Sequence, residues 1–267
     1  MRRGRDQMLR KILEIVGVYK VYEYWLSKQI YGKPVPSHVG LILDGNRRWA
    51  ATRGLPPHVG HEFGAKVAEK VLKWAKSLGI KTMTLYVLST ENLKRDPVEV
   101  EHIISLTEEY ISKIRDSREV HENRVKIKFI GKIELLPEKI QKLIREAEEA
   151  TKEYDSFFLN IAMAYGGRQE IVDMVKSVAK DVLESKIKVE DIDQQLISRY
   201  LYTSHLPNPE PDMIIRTSGE ERLSGFLLWQ SAYSELIFFD VYWPDFRKID
   251  LMRAIRIYQK RSRRFGL

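Results

Sequence analysis

The sequence contains no cysteine, which excludes a disulfide framework, a thiolate metal site and a cysteine nucleophile. No stretch approaches the roughly 18 consecutive apolar residues of a membrane span. The basic opening of Arg2, Arg3 and Arg5 leads into a segment interrupted by Lys11, Glu14, Lys20 and Glu23, not into the apolar stretch of a secretory signal. Internal repeats and low-complexity linkers are also lacking. What is present is 267 residues, 43% hydrophobic and 31% charged, enough for a real core and incompatible with a disordered or fibrous chain. A cytoplasmic protein is expected.

Charge is unevenly placed. The whole chain carries a formal +8, yet residues 1–33 hold +5 and residues 247–267 hold +7, so the middle is net −4. Basic ends suit an acidic, phosphorylated or membrane-surface partner. Peripheral contact with a membrane is one reading of residues 1–33, a basic amphipathic segment set apart from a main domain over 34–267. No nucleic-acid-binding motif accompanies the basic ends, and no nucleic-acid partner is expected.

Periodicity predicts a first helix over 8–31, broken by Lys33-Pro34-Val35-Pro36. Short apolar runs then alternate with helical patterns. Strands are expected at Val39–Leu43, Thr82–Leu88, Val125–Ile130, Phe157–Ala164, Met213–Ile215 and Leu236–Phe239. Helices are expected over 61–77, from Pro97 past Ile114, over 137–153, 168–184, 193–201 and 250–262. Asp96-Pro97-Val98-Glu99 has the chemistry of a helix start. The alternation predicts a single α/β domain, with a mostly parallel sheet of about six strands flanked by helices. Ligands of such sheets lie beyond the carboxyl ends of the strands.

Three loops following strands are unusually polar. The first is Asp44-Gly45-Asn46-Arg47-Arg48-Trp49, with His61 beyond it. The second is Ser89-Thr90-Glu91-Asn92, with Arg95 and Glu99. The third runs from Arg216 through Arg222, Leu223 and Ser224, with Glu235 downstream. Small residues let backbone N–H groups approach an anion, and arginine forks bind phosphate oxygens. A carboxylate beside bound phosphate, such as Asp44, commonly holds magnesium. Each feature has a plain reading: Asp-Gly-Asn is an ordinary turn, Glu99 completes a capping box, and His61 is a helix residue. Three such loops in one domain together predict a magnesium-dependent enzyme handling two phosphorylated groups. Around them lie Leu85, Leu88, Ile103, Leu106 and Phe226, read either as packed core or as the wall of a cavity for a lipid.

The order of motifs resembles the cis-prenyltransferases, the undecaprenyl and dehydrodolichyl diphosphate synthases. His38 to Trp49 resembles their first signature and Leu85 to Asn92 their second. Pro211 to Glu220, Arg222 to Ser224, Phe226 to Gln230 and Tyr233 to Glu235 resemble the third, followed by Trp243-Pro244-Asp245-Phe246 and Arg263-Arg264-Phe265-Gly266. The Arg47-Arg48 pair is similar to that of archaeal and eukaryotic members. The resemblance implies a homodimer with a hydrophobic product tunnel. It also implies condensation of isopentenyl diphosphate onto an allylic diphosphate, farnesyl or geranylgeranyl, to make a long polyprenyl diphosphate for a glycosyl carrier lipid. By the same resemblance Asp44 binds magnesium and assists departure of the allylic diphosphate, which Gly45, Asn46, Arg47, Arg48 and His61 hold, with Trp49 in the same motif. Arg216, Arg222, Leu223 and Ser224 belong to the isopentenyl diphosphate side, and Glu235 helps place magnesium, across the dimer if not within one chain. Ser89, Thr90, Glu91 and Asn92 lie near the reacting carbons, with Asn92 a candidate in proton removal. Arg95 and Glu99 support the allylic substrate or loop closure. Many members carry an Arg where Pro57 stands. A non-catalytic partner subunit is the alternative reading, and such relatives tend to lose residues of the first and third loops, which are intact here.

Overall fold

A computed structural model describes residues 18–261. Six strands are present: β1 (His38–Ile42), β2 (Thr82–Tyr86), β3 (Val125–Ile130), β4 (Phe157–Ala162), β5 (Met213–Arg216) and β6 (Glu235–Phe238). They form one sheet in the order β3-β4-β2-β1-β5-β6, and every pairing is parallel. The helices are α1 (Val18–Ile30), α2 (Asn46–Ala51), α3 (Pro57–Ser77), α4 (Pro97–Arg115), α5 (Arg118–Glu122), α6 (Glu138–Thr151), α7 (Gly167–Leu183), α8 (Gln194–Arg199) and α9 (Lys248–Lys260). This is the expected single α/β domain.

Alternation along the strands sorts the core onto two faces. Val39, Leu41, Met83, Leu85, Ile127, Phe129, Leu159, Ile161, Met213 and Ile215 share the larger cluster. Ile42, Tyr86, Ile130, Ala162 and Ile214 face the other side, against Tyr165, Phe226 and Leu227. β1, β2 and β5 are buried at every position, as interior parallel strands must be.

Three boundaries differ from the sequence expectation for local reasons. The Asp44-Gly45-Asn46 turn leads directly into α2, because Gly45 adopts a left-handed φ of 104°. The strands over 82–88 and 157–164 leave the ladder early. Val87 and Leu88 both donate to the Ala162 carbonyl, so their apolar side chains sit in loops that cross the ends of the strands. α3 begins at Pro57, where proline's missing N–H has no helical partner to lose. Of the helix expected over 8–31, residues 8–17 lie outside the described residues. The described part, α1, packs on α9: Glu23 pairs with Lys248 at 2.6 Å, and Leu26 and Ile30 join the larger core.

The second face also carries a buried polar row at its amino end. His38 is fully buried; its ring nitrogens bond Thr84 Oγ1 at 2.7 Å and the Asn208 carbonyl at 2.9 Å. Burial lowers its pKa from 6.5 to about 4, against the opposing pull of the Asn208 carbonyl and Asp212. The unfolded chain therefore takes up this proton first on acidification. The stabilisation is complete above pH 6.5 and fades as pH falls toward 4, for a total of about 3 kcal/mol. Denaturant unfolding at pH 7 and pH 4.5 checks this: His38→Gln should start less stable but lose less over that interval, and an equal loss in both proteins would refute the assignment.

Candidate active site

β1 has neighbours on both sides, β2 and β5, and its carboxyl end lies at a point where chain connections diverge. Asp44 follows β1 and Arg216 closes β5, so the two meet there: Arg216 Nη2 donates to Asp44 Oδ2 at 2.8 Å. Gly45 turns the chain into α2. A Cβ at Gly45 would stand 2.7 Å from the Tyr242 ring and 3.0 Å from Ser218 Cβ, so glycine is required by space as well as by φ. α2 rests on α3 because Gly60 has no side chain; a Cβ there would meet the Asn46 carbonyl at 2.1 Å. The turn over Trp243–Asp245 backs both helices. Trp243 is buried and donates to the Gly64 carbonyl at 2.8 Å, while Asp245 binds Arg53 and the Trp49 indole. The first-turn N–H groups of α2, which no helix can pair internally, therefore open at the cavity mouth with Gly45, Asn46, Arg47 and Arg48.

Three carboxylates gather the cations of the mouth. Asp44 takes Arg216 and, at 3.4 Å, Arg48. Glu99 takes Arg95 at 3.0 Å, Arg47 at 3.4 Å and His61 at 3.6 Å. Glu220 bridges Arg48 at 3.0 Å and Arg222 at 2.6 Å. Burial alone would raise the Asp44 pKa, but hydrogen bonds from Arg216 and Ser218 and the charges of Arg216 and Arg48 hold it below the usual carboxylate range. Burial pushes His61 below its ordinary value despite Glu99. The pairs of the exposed arginines, Arg47, Arg48 and Arg222, contribute at most about 1 kcal/mol each, so a multiply charged anion can take these arginines over. Arg216 Nε is buried and unpartnered, a donor awaiting an acceptor.

The second and third loops are held rigidly. Asn92 Oδ1 accepts from the Ser89 N–H and Ser89 Oγ from the Asn92 N–H, both at 3.1 Å. Asp96 caps α4 through Val98 and Glu99 N–H groups, leaving the Glu99 side chain free for the mouth. In the third loop Ser218, Ser224 and Leu227 hold positive φ values of 81°, 49° and 46°, a strained backbone the surroundings must fix. Arg216 Nη1 donates to Ser224 Oγ at 2.8 Å and to the Arg222 carbonyl. Behind this loop, the Tyr165 hydroxyl accepts from the Leu227 N–H at 3.2 Å and donates to Glu170. Glu170 is buried and also accepts from the Tyr202 N–H and Gln230. Tyr165→Phe strands the Leu227 donor. Thermal unfolding should show a loss of about 1–3 kcal/mol, and unchanged stability would mean that the loop is held elsewhere.

Below the mouth a cavity of about 880 Å³ runs between the sheet and α3 and α4. Leu85, Phe129, Leu159, Ile161 and Met163 line it from the sheet side, Ala65, Ala68 and Leu72 from α3, and Ile103, Leu106, Tyr110, Ile111 and Ile114 from α4. Leu85, Leu88, Ile103 and Leu106 are thus cavity wall, whereas Phe226 is packed core against Tyr86.

Most candidate side chains meet at this mouth: Asp44, Gly45, Asn46, Arg47, Arg48, His61, Ser89, Glu91, Asn92, Arg95, Arg216, Arg222 and Ser224 line it, with Glu99 bonded to three of them. Four candidates lie apart from this lining within one protomer. Trp49 is buried against Phe63 and Asp245, Thr90 is tied to Tyr165, and Leu223 packs on the second core face, so these three support the mouth from behind. Glu235 opens β6 opposite Met213, about 10 Å along the strand from Arg216, and pairs with Arg261 at 2.7 Å. It does not join Asp44 within the chain. Glu220, Tyr165, Glu170 and Trp243 went unassigned in the sequence. The rule that selected three loops pairing glycine, hydroxyl or amide groups with arginine applies equally to Tyr165-Gly166-Gly167-Arg168 after β4.

A parallel sheet with an anion-suited mouth at its switch point and an apolar cavity beneath defines a protein for amphiphilic phosphorylated substrates. The sequence profile of the undecaprenyl diphosphate synthases matches residues 42–266. The tritrans,polycis-undecaprenyl-diphosphate synthase (geranylgeranyl-diphosphate specific) of Methanocaldococcus jannaschii is 51% identical over 256 residues, covering 96% of this chain and 91% of its own. That of Pyrococcus horikoshii is 49% identical over 248 residues, covering 93% of each. The crystal structure of lavandulyl diphosphate synthase from Lavandula x intermedia with dimethylallyl diphosphate superposes with a TM-score of 0.83 at 33% identity, covering 87% of this chain and 99% of that one. The chain belongs to the undecaprenyl diphosphate synthase family of cis-prenyltransferases.

Proposed function

We propose that this protein condenses isopentenyl diphosphate units onto geranylgeranyl diphosphate, making a long cis-polyprenyl diphosphate for a glycosyl carrier lipid. The observation that carries the reading is the union of a mouth of five arginines with a deep apolar cavity. The diphosphate end of an allylic substrate is matched to Arg47, Arg48, His61 and the start of α2, and its hydrocarbon to the cavity. Arg216, Arg222 and Ser224 are matched to the second diphosphate. Geranylgeranyl diphosphate is favoured over farnesyl diphosphate because the archaeal relatives carry that specificity in their names.

Magnesium suits the donor set. Among the described residues no three His, Asp or Glu side chains cluster, and a magnesium ion commonly takes one or two carboxylates together with substrate phosphate oxygens. Asp44, ionised and at the mouth, would hold it, and magnesium so bound supplies neutralisation of the leaving diphosphate. Arg47 and Arg48 share that task as the carbon–oxygen bond breaks. Leu85, Ile103 and Leu106 keep water from the electron-poor carbon. Asn92, held by Ser89, is the candidate for assisting loss of the proton.

A homodimer is part of the proposal. The outer edge of β6 pairs with no other strand among the described residues, and Val172, Val175, Leu228 and Tyr233 are exposed apolar side chains. Such a dimer is how Glu235 would approach a diphosphate, in the second copy. Peripheral membrane association completes the reading, since the product is insoluble in water; no helix of the described residues is long and apolar enough to span a bilayer. The test is incubation of purified protein with isopentenyl diphosphate and each allylic starter, with and without magnesium, and product sizing. Long products from geranylgeranyl diphosphate only with magnesium are expected; no elongation of any starter would defeat the proposal.

A further inference from the structure

The described parts of the two basic ends, residues 18–33 and 247–261, are far apart in sequence but neighbours in space. Lys248 meets Glu23, Arg256 donates to Gln29 at 3.2 Å, and Gln259 donates to the Ile30 carbonyl at 3.2 Å. α1 has two unlike faces. Tyr19, Tyr22, Leu26 and Ile30 turn to the core. Val21, Tyr24, Trp25 and Tyr31 turn away and are 70%, 62%, 47% and 87% exposed. Lys20 and Lys28 are exposed alongside them, with Lys28 Nζ 4.7 Å from the Tyr24 ring centre. On α9, Arg256 stands over the Trp25 ring at 5.4 Å, and Lys260 and Arg261 are exposed.

This surface combines rings that have apolar bodies and polar tips with a rim of lysine and arginine, the composition favoured where hydrocarbon meets headgroups. Charge selects among occupants. The described residues 18–33 and 247–261 carry +2 and +5, so a second copy seated here would bring like charges together, whereas an anionic bilayer is complementary. α1 and α9 lie side by side along the sheet. Their mouth-side ends meet where the Arg247 guanidinium lies 4.5 Å from the Tyr19 ring centre, and their far ends where Gln259 reaches the Ile30 carbonyl and Arg261 pairs with Glu235.

We propose that the outward face of α1, together with the basic flank of α9, seats the protein on an anionic lipid bilayer. The inference deepens the membrane association named above by assigning it a surface and a lipid charge. Full-length protein is sedimented with vesicles of phosphatidylcholine alone and of phosphatidylcholine mixed with phosphatidylglycerol, at low and high salt. Two double variants, Tyr24→Ser/Tyr31→Ser and Lys20→Glu/Lys28→Glu, are compared, with thermal unfolding to verify their fold. Uptake onto the anionic vesicles only, weakened by salt and reduced about ten-fold or more in each variant, is expected. Elongation of geranylgeranyl diphosphate in vesicle-free buffer should stay unchanged in both, because none of the four side chains lines the cavity. Equal uptake on neutral vesicles, or uptake indifferent to both variants, would overturn the proposal. So would a variant-sensitive doubling of mass in solution, which would place a second copy on this face. Protein that binds vesicles but elongates nothing would sink the enzymatic reading and leave this surface standing.

Discussion

Asp44→Asn is expected to lower turnover at least about a hundred-fold while leaving a folded protein. The carboxylate has two tasks in the proposed reaction. Among the described residues it is the carboxylate paired with Arg216, and it is the group available to magnesium at the mouth. Asparagine keeps the shape and one acceptor for Arg216, which also retains Ser224 and the Arg222 carbonyl. The stability cost should therefore stay near about 1–3 kcal/mol. Because the metal would lose its charged ligand and not its phosphate ligands, the variant should need much more magnesium and recover part of its rate in excess. Steady-state rates across a magnesium titration, with thermal unfolding in parallel, measure both. Full turnover at ordinary magnesium would remove Asp44 from the chemistry.

The second large effect is on product, not rate. A polyisoprenoid chain offers no polar group to recognise, so only space can end its growth. α3 and α4 both start at the mouth and run down the cavity; from His61 to Leu72 is eleven residues, about 16 Å of helix. Ala68 lies two turns below His61 and faces the cavity opposite residues of α4. Ala68→Trp should fill the passage at that depth and shorten the products by several isoprene units, with Michaelis constants for both substrates changed only a few-fold. Overpacking should cost about 1–3 kcal/mol at most, since the new ring enters open space. Radiolabelled products separated by length give the answer, and an unaltered distribution would mean that the chain grows along another route.

Local chemistry was the legible part of this fold. Asp96-Pro97 marks the start of α4 because the cap bonds are made within three residues, and β3 spans Val125–Ile130 as its periodicity indicates. The site was legible as three polar loops. What the chain could not display was orientation and long-range support. Trp49, Thr90 and Leu223 sit inside recognisable motifs yet point away from the cavity, because motifs mix residues that touch a ligand with residues that hold the loop. Glu220 becomes informative only when Arg48, 172 positions earlier, is beside it. Tyr165 and Glu170 matter through Leu227 and Gln230, some sixty residues on. The cavity was the least legible feature, since Leu85 and Phe226 are equally apolar and only packing separates wall from core.

The pairing of α1 with α9 bears on how the molecule is made. Contacts such as Glu23 with Lys248 and Gln29 with Arg256 span more than 220 residues. During synthesis α1 leaves the ribosome first, and Leu26 and Ile30 have no place to bury until Leu251 and Ile255 arrive at the other end. Closing so long a loop costs little extra free energy, because that cost grows only with the logarithm of length, but it postpones the event. The nascent chain therefore carries an unburied aromatic helix until α9 has been made.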